Sequence, residues 1–73
     1  MDRLTSMNVF VRTADLGSFA AAAEALRISP QMVAKHIARL ESRLGTALIN
    51  RTTRRQHLTD IGRSYYARCK IVL

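Results

Sequence analysis

The chain has one cysteine, one proline, three glycines, no tryptophan and only five acidic side chains among its 73 residues. A lone thiol, Cys69, can form neither an intrachain disulfide nor a cysteine metal cage. The scattered glycines make no loop of the kind that cradles phosphates. With so few acids there are no paired carboxylates, and no Ser/His/Asp arrangement stands beside them. His36 and His57 lack Cys or acid partners at metal-ligand spacing. No apolar run approaches the roughly 18 residues of a membrane span. The N-terminus carries Asp2 and Asp15 and has no small-residue cleavage pattern, so it does not read as a signal peptide. The sequence therefore reads as a soluble, cytoplasmic chain with no enzyme activity, no cofactor and no metal. At this length a fold buries only about 60% of the surface of the unfolded chain, so the core must be small.

What the chain does have is positive charge, unevenly placed. The net charge is +7. Residues 1–26 are close to neutral, and the basic side chains concentrate in residues 27–73, where only Glu41 and Asp60 oppose them. Arginine dominates lysine, which favours fork-like recognition of phosphate. Nucleic acid or an anionic membrane surface leads the list of partners. A membrane-surface helix would need bulky apolar anchors opposite its arginines. Here the regular apolar stripe is what a small core would consume.

Four helices can be read from periodicity and caps. Leu4, Met7, Phe10, Val11 and Ala14 recur at helical steps over about residues 3–16, and Gly17 follows as a stop. Ser18 sits where an N-cap belongs, ahead of a shorter face of Phe19, Ala22, Ala23 and Leu26. Arg27 and Ile28 form a turn. Ser29 and Pro30 give a strong helix start. Val33, Ile37, Leu40 and Leu44 then predict the buried stripe of a third helix over about residues 30–44, ended by Gly45. Gln31, Lys35, His36 and Arg39 fall on its opposite face. Two short strands are expected around a basic loop over about residues 50–57. Thr59 and Asp60 open a fourth helix. Ile61, Tyr65, Cys69 and Val72 form its apolar line, and Gly62 predicts a close backbone approach. Tyr66, Ile71 and Leu73 lie off that line and, with Cys69 at a subunit contact, are the expected dimerisation residues.

Two helices joined by a short turn, the second with a polar and basic outer face, describe a helix-turn-helix. Ala22 and Ala23 let the helices cross closely, and Ile28 can plug the angle between them. The N-terminal turns of the second helix approach base edges, which makes Pro30, Gln31, Ala34 and Lys35 candidate readers, with His36 and Arg39 beside them. The NRTTRR stretch, with Arg51, Thr53, Arg54 and Arg55, fits a wing on the backbone or in the minor groove.

These stretches resemble the N-terminal DNA-binding domain of LysR-type transcriptional regulators over the whole chain. The resemblance rests on Gly17-Ser18-Phe19, Ala22-Ala23-Glu24-x-Leu26, Ser29 and Ile37-x-x-Leu40-Glu41-x-x-Leu44-Gly45. Leu48, Asn50-Arg51-Thr52-Thr53-Arg54 and Leu58-Thr59-x-x-Gly62 complete the set. It implies a fold that is all-α with a small β-wing: a winged helix-turn-helix DNA-binding domain over residues 1–58, then the start of a linker and dimerisation helix over residues 59–73. It implies that Ser18, Gln31, Lys35, Arg51 and Thr59 touch phosphates or bases, and that Arg54 and Arg55 sit in the wing; Ser29 is a further DNA-binding candidate. It also implies a homodimer on a pseudo-palindromic double-stranded DNA site. A separate effector-binding domain would lie beyond residue 73. Two positions depart from the family habit: Ala34 stands where serine is common, and Lys35 where arginine often appears. Alanine offers a base edge only a methyl, and lysine lacks the bidentate fork.

Overall fold

A computed structural model describes residues 2–51 and 57–73. The elements run α1 (Arg3–Leu16), α2 (Phe19–Leu26), α3 (Pro30–Leu44), β1 (Ile49–Asn50), β2 (His57–Leu58) and α4 (Asp60–Val72). The predicted fold, four helices with a small antiparallel wing, is the observed one. The strands pair antiparallel, with Ile49 opposite Leu58 and Asn50 opposite His57.

Local chemistry sets the helix ends. Asp2 caps α1, accepting from the N–H of Leu4 at 2.8 Å. The hydroxyls of Ser18, Ser29 and Thr59 accept from Ala21, Met32 and Gly62 at 2.9, 3.1 and 2.9 Å. Each satisfies a helix donor that has no partner inside its own helix. Gly45 ends α3 at φ 71°, a left-handed conformation that side chains disfavour. Arg27 ends α2 in the same region at φ 58°, and its N–H donates to the carbonyls of Ala23 and Glu24. That cap turns the chain between α2 and α3.

The core lies where α1, α2 and α3 meet, closed on one side by α4. Phe10, Ala22, Val33, Ile37, Leu48 and Cys69 are fully buried. Ala22 and Ala23 are both buried at the helix crossing, as expected, and Ile28 packs half-buried against the core. Its N–H donates to the Ala23 carbonyl at 3.0 Å.

The structure corrects several expected faces. On α1 the buried side includes Ser6, Val9 and Thr13, whereas Leu4 is exposed. Thr13 is satisfied by donating to the Val9 carbonyl at 2.8 Å. On α3 the buried stripe ends at Leu40, and Leu44 is 42% exposed. It lies in the last turn, past the reach of the small core. On α4 the expected apolar line holds at Tyr65 and Cys69 but not at its ends. Ile61 and Val72 are exposed, and Gly62 and Cys69 are the buried residues. The cause is backbone contact: a Cβ on Gly62 would lie 2.1 Å from the Leu48 carbonyl oxygen. The helix can approach the β1 segment only with a glycine there. Tyr65 then stacks on Phe10, with ring centroids 5.5 Å apart and tilted by 50°.

Candidate nucleic-acid interface

The two capped helix starts, α2 at Ser18 and α3 at Ser29, open the helix-turn-helix. Pro30 occupies the first turn of α3. From there Ser29, Gln31, Met32, Ala34, Lys35 and Ala38 line a shallow, open depression along the helix, and Arg51 joins them from beyond β1. Gln31, Lys35 and Arg39 are exposed, and Ala34 is half-buried. This brings a hydrogen-bonding amide, an ammonium, a guanidinium and small apolar side chains onto one face. It is the chemical mixture that base edges and phosphates demand together.

Arg51 is held from two sides. Its guanidinium lies over the Phe19 ring, 4.6 Å from the centroid. Its Nη2 is 3.8 Å from Glu41 Oε1. The other carboxylate oxygen of Glu41 accepts from the N–H groups of Leu48 and Ile49 at 2.8 and 3.3 Å. These links fix the segment leading into the wing against α3. The sequence reading missed Glu41, although an acid within so basic a stretch is itself a signal.

His36 is a correction. It is 6% exposed, and its Nδ1 is hydrogen-bonded to Ser6 Oγ at 2.9 Å. The helical angle that carries Gln31 and Lys35 outward carries His36 toward α1, so it faces the core and not a groove. Burial pushes its pKa below 6.5. Thr59 is half-buried and donates to the Ala47 carbonyl at 2.8 Å while capping α4, so its hydroxyl already closes the foot of the wing. Thr53, Arg54 and Arg55 lie outside the described residues.

Of the expected dimerisation residues, Cys69 takes the inward place that the apolar line predicts and not the subunit contact. It is fully buried within its own chain. Burial pushes its thiol pKa up, which keeps it protonated. Tyr66 is half-buried, and its hydroxyl donates to Asp15 of α1. Ile71 and Leu73 are exposed. Among the described residues no helix is long and apolar enough to cross a membrane.

Residues 4–63 match the family described as the bacterial regulatory helix-turn-helix protein, lysR family. The chain belongs to that LysR family. An HTH-type transcriptional repressor of Pseudomonas aeruginosa, PA14_22550, is 44% identical over all 73 residues, which cover 23% of its own length. The HTH-type transcriptional activator AaeR of Escherichia coli is 41% identical over 73 residues, 24% of its length. The chain thus spans about a quarter of the curated relatives it matches. A solved complex of the BenM DNA-binding domain with catB site 1 DNA superposes with a TM-score of 0.92 at 29% identity. That alignment covers 99% of this chain and 79% of the other. α3 is the second helix of this LysR-family helix-turn-helix, and the depression beside Arg51 lies on it.

Proposed function

We propose that this chain is the sequence-specific, double-stranded DNA-binding part of a LysR-type transcriptional regulator, with no catalytic role. The observation that carries this reading is the outer face of α3. Gln31, Lys35 and Arg39 project from it, while Val33, His36, Ile37 and Leu40 are consumed by the core. Pro30, Gln31, Ala34 and Lys35 meet base edges in the major groove. Ser18, Ser29, Arg39 and Arg51 meet phosphates, and Thr53, Arg54 and Arg55 lie along the backbone or in the minor groove. Residues 1–58 form the DNA-binding unit, and residues 59–73 begin the linker helix.

The protein works as a homodimer on a pseudo-palindromic site, in the cytoplasm. The exposed apolar side chains Ile61, Ile71, Val72 and Leu73 support a second copy seated on α4. A small effector acts through a further domain. The relatives include one named as a repressor and one named as an activator.

Salt dependence of duplex binding tests the reading. If five or six basic side chains neutralise phosphates, log affinity falls against log salt with a slope near −5, at about −0.9 per phosphate. A slope shallower than about −2 would remove the broad phosphate footprint.

A further inference from the structure

Lys35, Arg39 and Arg51 are exposed on and beside α3, yet the same helix brings the carboxylate of Glu41 up to Arg51. An open carboxylate there would repel phosphates. Glu41 is not open: its side chain is 21% exposed, and backbone N–H groups and a guanidinium occupy it. We propose that Glu41, together with Phe19, is a positioning residue that fixes Arg51 before a duplex arrives. Arg51 then engages a phosphate as a preset clamp and not as a free side chain. The inference rests on the DNA-binding reading above.

Three elements converge on this guanidinium. Glu41 comes from α3, and its Oε2 holds the backbone at Leu48 and Ile49, two residues before Arg51. Its Oε1 faces the guanidinium itself. Phe19, the first residue of α2, supplies an aromatic face, where a cation is attracted to the ring quadrupole. The Arg51 side chain remains 42% exposed, so it is steered without being covered. Immobilising a long side chain on binding weakens affinity by about two- to tenfold, and ordering it beforehand removes that loss.

The test is a double-mutant cycle on duplex affinity, combined with NMR relaxation of the Arg51 Nε–H in the free chain. Glu41→Gln keeps an amide oxygen that can accept from Leu48 and Ile49 but removes the attraction on Arg51. It is expected to weaken selected and random duplexes alike by about two- to tenfold. It should also make the Arg51 Nε–H more mobile. In an Arg51→Ala background the same change should produce no further loss. A role confined to holding the strand would give the same loss in both backgrounds, and that result overturns the clamp. So does unchanged or tighter binding by Glu41→Gln with Arg51 present. Should Glu41→Gln fail to fold, Phe19→Leu carries the same cycle, because it keeps apolar bulk and removes only the ring. A parent chain that binds no duplex overturns the DNA-binding reading itself. A parent that binds duplex without coupling between Glu41 and Arg51 overturns only the clamp.

Discussion

α3 and α4 bury themselves by different means. α3 turns bulky aliphatic residues inward, with Val33 and Ile37 fully buried and Leu40 nearly so. α4 approaches through a glycine and a cysteine, with two half-buried tyrosines beside them. In α3 the apolar period therefore points to the core. In α4 it points inward only at Tyr65 and Cys69, with Ile61 and Val72 exposed, because the buried line is set by how closely the backbone can come to Leu48. The inward face of a helix follows its bulky residues only where side chains, and not backbones, make the contact.

The largest test of this contrast lies on α3. Ile37→Ala empties a fully buried site and should destabilise the fold by about 4 kcal/mol. Leu44→Ala, on the same apparent stripe but half-exposed, should lose less than about 1 kcal/mol. Chemical denaturation of the two variants measures the difference. Equal losses would mean that the stripe continues through Leu44.

On α4 the expectation inverts the usual ranking of small and large residues. Gly62→Ala drives a methyl into the Leu48 carbonyl and should destabilise by about 3 kcal/mol. Ile61→Ala, at an exposed position, should stay within about 0.5 kcal/mol. A harmless Gly62→Ala would show that α4 does not depend on this approach.

A smaller effect separates the two faces of α3 by pH. Burial holds the His36 pKa below its ordinary 6.5, so the folded chain binds fewer protons at this site than the unfolded chain. Its contribution to stability is complete above about pH 6.5 and declines as pH falls through the folded-state value. Thermal unfolding between pH 7.5 and pH 5 should therefore drop more steeply in the parent than in His36→Asn. Parallel curves would return His36 to the solvent face.

The same contrast explains what was legible in the sequence. Helix ends are local: Ser18, Ser29 and Thr59 cap the residues that follow them, so the helix boundaries could be read directly. The helix-turn-helix angle was legible because Ala22 and Ala23 are small where two helices cross. Pairings distant in sequence were not. His36 finds its partner in Ser6, thirty positions earlier, and no period in α3 announces it. Glu41 fits the family pattern, but its partners at Leu48 and Ile49 show only once the chain returns. Cys69 reads equally as core or as subunit contact until Gly62 brings α4 onto Leu48.

We propose that the outer face of α3 reads sequence while Arg51 supplies affinity without reading. The deciding measurement compares Gln31→Ala and Arg51→Ala on a duplex selected from a random pool and on a random duplex. Gln31→Ala should weaken the selected duplex by about 1–3 kcal/mol and leave the random one nearly unchanged. Arg51→Ala should weaken both alike. An equal loss on both duplexes from Gln31→Ala would contradict the assignment of α3 as the reading helix.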